Sequence, residues 1–537
     1  MTESCRFHLH LLYRNAPSIR HMGSIATGDM KPMFNRRLGA ALPLNRTGQF
    51  AAEQKNVLDP GICWQAINSR DPRFDGRFFA GAATTGLYCR NVCPVPSARP
   101  KNILLFVCAA AAESAGFRPC KRCQPQAAPG TPAWLGTSAV VSRAFRLILE
   151  GALNKGSLED LASRMGLGSR QLRRLFVQHL GASPLKIATT NRIHLARKLI
   201  DETALPFTQI AFASGFNSIR EFNHAIRLST GKSPSALRRS TDVARGKECA
   251  SGLELRLPFR PPFYWAGIIA FLKPRAIPGV ELVTEASYQR TIEIGEVPGI
   301  LNVCLDAANS QLIVHLQTGS YEGLAQTVER VRRIFDLSAD PIQIASHLSC
   351  DPKLRALISL RPGLRVPGVW DGFEAGVFAV LGQGLTTNGP KRLVGRLVQM
   401  FGTPMESSIR GLRYLFPRPE VLAHADLSKA GINDRCAIII RKLASSAMRK
   451  HFIFSTSRTL EQAVSQVRET CGGDDSIANY IVLRSFGEPD AFPSRDLGLR
   501  RSLAEPGHHV SEAQALAMAE RWRPWRAYAA MHIAQRT

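Results

Sequence analysis

Residues 85–96 read TGLYCRNVCPVP and residues 116–125 read GFRPCKRCQP, so Cys89 and Cys93 form one close pair and Cys120 and Cys123 another. The pattern C-x3-C, 26 intervening residues, then C-x2-C lets four sulfurs converge on one tetrahedral ion, and in a reducing compartment that ion is Zn2+. Two uses of such a site stay open on spacing alone. It can be a structural knuckle that holds residues 57–125 together. It can also be chemically active, because the metal keeps each sulfur as a thiolate and four thiolates leave a net charge of about −2, so a sulfur stays electron-rich and can be consumed by an electrophile. The remaining cysteines, such as Cys5, Cys63, Cys249 and Cys471, are scattered singly, which argues against a disulfide scaffold and for the cytoplasm.

Working outward, the chain of 537 residues is too long for one core and suggests three or four domains at about 150 residues each. With 69 Lys+Arg against 42 Asp+Glu, a net charge of +27 and a pI of about 10.2, the surface attracts polyanions, and double-stranded DNA is the expected partner. The most apolar run, FYWAGIIAFL (263–272), stops at Lys273 and falls short of the roughly 18 residues of a membrane span. No membrane partner is expected.

Breaks in hydrophobic periodicity fall at 124–133, 238–252 and, more softly, at 360–373. They divide the chain into a leader (1–55) expected to be disordered, a cysteine-bearing unit (56–127), a helical unit (134–240), an α+β unit (252–365) and a helical unit (366–537). The α+β expectation rests on two β-type runs, 279–294 and 300–316, followed by the amphipathic GLAQTVERVRRIF (323–335). The fold class is thus multidomain α+β.

The second unit contains an internal repeat, LEDLASRMGLGSRQLRRLFVQHLGASP (158–184) and FTQIAFASGFNSIREFNHAIRLSTGKSP (207–234). Each copy has a small residue for a close helix crossing (Ala162, Ala211) and a glycine four residues on for a left-handed turn (Gly166, Gly215). Ser169 and Ser218 are expected to cap the following helix. Its exposed face would carry Arg170, Gln171, Arg173 and Arg174 in one copy and Arg220, Asn223 and His224 in the other, side chains of the kind that read base edges in a major groove. The pairing resembles the AraC-type DNA-binding domain, in which two helix-turn-helix units joined by a long helix read successive groove segments. The resemblance implies operator binding and, for an activator, RNA polymerase as a further partner.

The residues around the cysteines, DPRFDGRFFAGAATTGLYCRNVCP (71–94) and AGFRPCKRCQP (115–125), resemble the zinc domain of Ada-type alkylation-response proteins. That resemblance implies irreversible methyl transfer from a DNA methylphosphotriester to the acceptor Cys89, with Cys93, Cys120 and Cys123 as the other Zn2+ ligands. Asn91 stands where the family commonly has Pro. Conversion of a thiolate to a thioether removes one negative charge, worth on the order of a kcal/mol near a surface, so methylation should tighten DNA binding. The family's separate Pro-Cys-His-Arg acceptor motif is absent from the sequence.

The last two units, through LELRLPFRPPFYWAGIIAFLKPRAIPGVE (253–281), RPGLRVPGVWDGFEAGVFAVLGQG (361–384), GEPDAFPSRDLGL (487–499) and RWRPWRAYAAMHI (521–533), resemble AlkA-type 3-methyladenine DNA glycosylases. The implied fold is a small antiparallel α+β domain followed by a helical domain with a helix-hairpin-helix. The implied reaction is hydrolysis of the glycosidic bond of a flipped alkylated base, a type II activity. On this match Asp496 is the catalytic carboxylate, Phe271 and Tyr480 line the base pocket, Gln383 lies near the gap left by the flipped base, and Gly472 lets the hairpin backbone approach a phosphate. Asp496 taken alone, before LGLRR, reads as a helix N-cap. The hairpin departs from the family: TCGGDDSIA (470–478) places Asp474 and Asp475 beside the expected phosphate and Ser476 at the position of a pocket Trp. Ala534 replaces a further aromatic, and Gly384 interrupts the usual Gln-Gln pair. The expected function is therefore repair of alkylated DNA coupled to transcriptional control; the alternative is a methylation-sensing transcription factor whose glycosylase module is catalytically inactive.

Overall fold

The computed structural model describes residues 59–96, 98–125, 128, 139–240, 252–382, 388–448, 460–470, 475–505 and 508–535. The expected leader, Gln383, Gly384, Gly472 and Asp474 lie outside these residues.

In the cysteine-bearing unit the Asp59 carboxylate accepts the N–H groups of Gly61 (2.8 Å) and Ile62 (3.1 Å), which starts α1 (Pro60–Ser69). A four-stranded sheet follows, β1 (Phe79–Ala82), β2 (Leu87–Cys89), β3 (Ile103–Phe106) and β4 (Arg118–Pro119), in the order β3-β1-β2-β4. β1 and β2 form an antiparallel hairpin whose turn needs Gly86 at φ +64°. α2 (Ala109–Ser114) carries the chain from β3 to β4, and β4 lies parallel to β2 with Tyr88 opposite Pro119. This register brings the two cysteine pairs together, because one pair begins at the end of β2 and the other directly follows β4.

The helical unit contains α3 (Ala139–Leu149), α4 (Ala152–Lys155), α5 (Leu158–Arg164), α6 (Ser169–Leu180), α7 (Pro184–Glu202), α8 (Phe207–Ala213), α9 (Ile219–Thr230) and α10 (Pro234–Ser240). Ala162 and Ala211, 1% and 0% exposed, sit at the tight helix crossings, and the turn glycines Gly166 and Gly215 have φ of 63° and 88°. One of the two caps follows the sequence expectation and the other departs from it. Ser218 caps α9, its Oγ accepting the Glu221 N–H at 3.1 Å. In the first copy Gly168 is the cap residue, without a side-chain bond, and Ser169 is already the first helical residue. The second turn is one residue longer than the first between the crossing alanine and the first buried residue of the reading helix (Leu172 and Phe222), so the two serines do not occupy equivalent positions.

The third unit is an antiparallel sheet, β5 (Leu253–Pro258), β6 (Glu281–Val283), β7 (Ser287–Ile294), β8 (Val297–Asp306) and β9 (Gln311–Thr318), ordered β5-β9-β8-β7-β6, with α11 (Trp265–Leu272) and α12 (Leu324–Ile334). α13 (Pro341–Leu348) and α14 (Pro352–Leu360) complete its residues, and the fourth begins with α15 (Gly372–Leu381) and α16 (Asn388–Phe401). A short ribbon, β10 (Thr403–Pro404) with β11 (Tyr414–Leu415), interrupts the helices. Then come α17 (Pro419–His424), α18 (Asp434–Met448), α19 (Leu460–Thr470), α20 (Asp475–Phe486), α21 (Leu497–Leu503), α22 (Glu512–Ala519) and α23 (Arg526–Ala534). The expected multidomain α+β class is what the chain adopts.

The units are not beads on a string. Ile210, Phe216 and Phe222 of the second helix-turn-helix belong to the same buried cluster as Leu253, Leu255 and Leu301 of the antiparallel sheet. Each such side chain contributes roughly 1.5–3 kcal/mol when fully buried, so this seam is held as a core is held. Three ion pairs add direction: Arg333 to Glu150 at 2.6 Å, and Glu488 to both Arg143 (2.9 Å) and Arg146 (2.6 Å) of α3.

Candidate metal centre, DNA-reading faces and base pocket

The ligand atoms of Cys89, Cys93, Cys120 and Cys123 all lie within 4.8 Å of one another, compatible with the edges of about 3.8 Å that a tetrahedron of Zn–S bonds near 2.3 Å requires. Local backbone bonds build the cluster. Cys120 N–H donates to Tyr88 O (3.0 Å), Cys93 N–H to Arg90 O (3.2 Å), and Arg90 N–H points at Cys123 Sγ (3.4 Å). Arg90 pairs with Asp75 and also donates to Cys123 O (3.1 Å), so the loop between the first two cysteines is anchored to the second pair. Asn91 is buried, and its Nδ2 donates to Asp71 O at 2.7 Å and Ala66 O at 3.4 Å, a bond set that a proline could not supply.

Without a cation the four sulfurs compete for charge. A hydrogen bond from Cys89, helped by the Arg90 N–H and opposed by burial, draws Cys123 down to about 6. The same bond, with burial and the neighbouring sulfurs, pushes Cys89 far up. A divalent metal ion is what makes all four thiolates together, so the donor set fits Zn2+. Cys93, Cys120 and Cys123 are buried, whereas Cys89 is half-buried. Cys89, Cys93 and Cys120 line a cavity of about 620 Å³ whose walls also include Arg118, Lys121 and Arg122, and Arg197 and Thr230 from the helix-turn-helix unit.

A carboxylate that sequence reasoning passed over joins the two units. The side chain of Glu113 on α2 is 6% exposed, accepts hydrogen bonds from Tyr88 Oη (3.0 Å) and Thr190 Oγ1 (2.8 Å), and pairs with Lys186 Nζ (3.2 Å). Burial pushes this carboxyl up, but hydrogen bonding and charge from His194, with Lys186 and Thr190, hold it down to about 2. Its run, AAAAES, carries no local sign of such a role.

On the reading helices, Arg170, Gln171, Arg173 and Arg174 are exposed on α6, and Arg220 and His224 on α9; Asn223 is half-buried. Both faces are largely exposed to solvent.

The base pocket is arranged differently from the sequence expectation. Tyr480 and Phe271 flank the guanidinium of Arg484, which lies 5.6 Å and 4.6 Å from their ring centroids and donates to Tyr480 Oη (3.2 Å) and Gly368 O (2.8 Å). The cavity beside Tyr480, Trp370 and Glu374 measures about 50 Å³, well below the roughly 300–1,000 Å³ of ordinary ligand pockets. Asp496 is exposed and caps α21, its Oδ1 accepting the Leu499 N–H at 2.8 Å. It does not line the Tyr480 cavity. Gln383 and Gly472 fall outside the described residues, as do the side chains of Asp475 and Ser476.

Comparison with known proteins supports this division of labour. Residues 62–126 match the metal binding domain of Ada, residues 161–240 a helix-turn-helix domain, and residues 254–371 the AlkA N-terminal domain. The chain is 38% identical to a probable bifunctional transcriptional activator/DNA repair enzyme AlkA of Mycobacterium tuberculosis, over 88% of this chain and 95% of that one. The chain belongs to this bifunctional AlkA family. It is also 32% identical to DNA-3-methyladenine glycosylase 2 of Escherichia coli over 52% of its own length and 95% of that protein. To the bifunctional transcriptional activator/DNA repair enzyme Ada of the same organism it is 36% identical over 22% of its length and 33% of that protein. In this AlkA-family chain the cysteine cluster is a Zn2+ site. Among the described residues no helix is long and apolar enough to cross a membrane.

Proposed function

We propose that the protein senses and repairs alkylated DNA in the cytoplasm. Residues 56–127 accept a methyl group, 134–240 read an operator and engage RNA polymerase, and 252–365 with 366–537 excise alkylated bases of the 3-methyladenine type. The observation that carries the sensing half is the half-buried Cys89, the accessible member of a buried four-sulfur cluster, opening on a cavity walled by basic side chains and by the reader itself.

Bound Zn2+ supplies the chemistry of keeping four sulfurs ionised at neutral pH. Cys89 is the nucleophile, and Cys93, Cys120 and Cys123 hold it in place. Arg118, Lys121 and Arg122 attract the phosphates that flank a neutral methylphosphotriester. Loss of one negative charge on methylation lowers repulsion of the DNA backbone. Arg170, Gln171, Arg173 and Arg174 with Arg220, Asn223 and His224 then specify the operator. Intact-mass measurement after exposure of zinc-loaded protein to methylphosphotriester DNA tests the proposal: a gain of one CH2 confined to Cys89 is expected, and no gain ends the acceptor reading.

For the glycosylase half, Asp496 is the proposed catalytic carboxylate, Tyr480, Phe271 and Gln383 the proposed pocket, and Gly472 a proposed phosphate contact. A second reading is favoured by a specific observation: Asp496 serves as an exposed helix cap while Arg484 occupies the space between the two pocket rings. In that reading the module binds DNA without cleaving it. Release of 3-methyladenine from alkylated DNA, lost in Asp496→Asn, supports the enzyme. No release by a protein that still methylates Cys89 supports the second reading.

A further inference from the structure

The wall of the cysteine cavity holds one cation that the methyl-acceptor reading leaves without a task. Arg197 lies on α7, the helix that joins the two helix-turn-helix units, and lines the cavity together with Cys89, Cys93 and Cys120. The residue is 6% exposed, and among the described residues its Nη1 has no hydrogen-bond partner. A buried N–H donor without an acceptor is unfavourable unless a ligand supplies one. The nearby carboxylate does not fill the vacancy, because Glu113 is taken by Tyr88, Thr190 and Lys186. Burial disfavours the Arg197 charge, while the charges of Asp201, Tyr88, Glu113 and Cys123 favour it through space.

We propose that Arg197 is a substrate-binding residue of the acceptor site, its guanidinium donating to a non-bridging oxygen of the methylphosphotriester and receiving the charge that the phosphate gains as the methyl leaves. The inference rests on the reading of Cys89 as methyl acceptor. In the step, Cys89 Sγ attacks the methyl carbon, the S–C bond forms and the C–O bond to phosphorus breaks. The electron pair stays on oxygen, so a neutral triester becomes a phosphodiester anion while the thiolate becomes a neutral thioether, and no proton moves. Negative charge thus passes from sulfur to phosphate. A fixed cation beside the phosphate is worth more in the transition state than before it, which is the condition for acceleration. The planar guanidinium fork also matches phosphate oxygens better than an ammonium does. Since α7 belongs to the reader, the group that meets the repaired phosphate is carried by the element that must respond to repair.

The test uses zinc-loaded full-length protein as wild type, Arg197→Lys and Arg197→Ala. One readout is single-turnover methyl transfer from a duplex carrying one methylphosphotriester, at saturating DNA. The other is binding of dimethyl phosphate, the bare diester anion, followed by ³¹P line broadening. Arg197→Ala is expected to slow transfer by about a hundredfold and to abolish dimethyl phosphate binding, with added guanidinium ion restoring part of the rate and Arg197→Lys intermediate. Cobalt-substituted Arg197→Ala should keep the thiolate charge-transfer band of the wild type. Transfer within about twofold of wild type, or loss of the metal in place of a transfer defect, would overturn the assignment. If the wild type itself takes up no methyl, the acceptor reading fails, and dimethyl phosphate binding alone decides Arg197.

Discussion

Replacing Glu488 by Ala should loosen the seam between the DNA reader and the glycosylase module. The Glu488 carboxylate is 5% exposed and receives Arg143 Nε at 2.9 Å and Arg146 Nη2 at 2.6 Å, while Arg146 Nη1 donates to Gly487 O at 3.1 Å. Removing one partner of a buried ion pair costs about 3–5 kcal/mol, because the surviving charge is left without compensation. Here the lower end applies: Arg146 keeps its carbonyl bond, and its side chain is 19% exposed and can recruit water, whereas Arg143 at 9% cannot do so as easily. A loss of about 3 kcal/mol corresponds to opening that is easier by about a hundredfold. Hydrogen exchange on the full-length zinc protein reads this directly, with faster exchange expected in α3 and in residues 487–499, the loop that leads to Asp496. Amides of β1 and β2 should not change. Exchange in both segments within about threefold of wild type would show that Glu488 does not hold the seam.

Further outcomes are expected. Glu113 is held at about 2, below its ordinary value of 4.5, so its contribution is complete above 4.5 and is lost as pH falls through about 2. Glu113→Gln should flatten this acid dependence in a melting series between those limits. Ser218→Ala should cost about 1 kcal/mol of thermal stability, whereas Ser169→Ala should be nearly neutral because Gly168 is the cap in the first copy. Gly215→Ala places a Cβ 2.5 Å from Asn154 Nδ2 at φ +88°, and a loss of about 1–3 kcal/mol in melting, with weaker operator binding, should follow. Chelation of the metal should raise protease sensitivity in residues 59–125 and leave the antiparallel sheet at 253–318 resistant.

The metal site was the most legible feature, since Cys89, Cys93, Cys120 and Cys123 announce their convergence by spacing. The parallel pairing of β2 with β4 that accomplishes it was not legible, because strands of three and two residues carry no usable alternation. Ala162, Ala211, Gly166 and Gly215 were readable because a tight crossing and a positive φ admit few residue types. The Gly168 cap of the first copy is not legible, because the shared serine hides a one-residue difference between the copies. Glu488 lies 345 residues from Arg143, and no local pattern can report such a partner. Asp496 shows a different limit: both of its readings, cap and catalyst, are written in the same residues, and the geometry favours the cap.

The common core of α8, α9 and the antiparallel sheet has a consequence for how this polypeptide can be divided. Cutting the gene near the segment 241–251 would strip the cover from Phe216, Phe222 and Leu255 at once, giving two fragments with sticky apolar faces instead of two free-standing proteins. A lineage that acquired this fusion could vary exposed side chains on either module, but it could not readily return the two modules to separate chains.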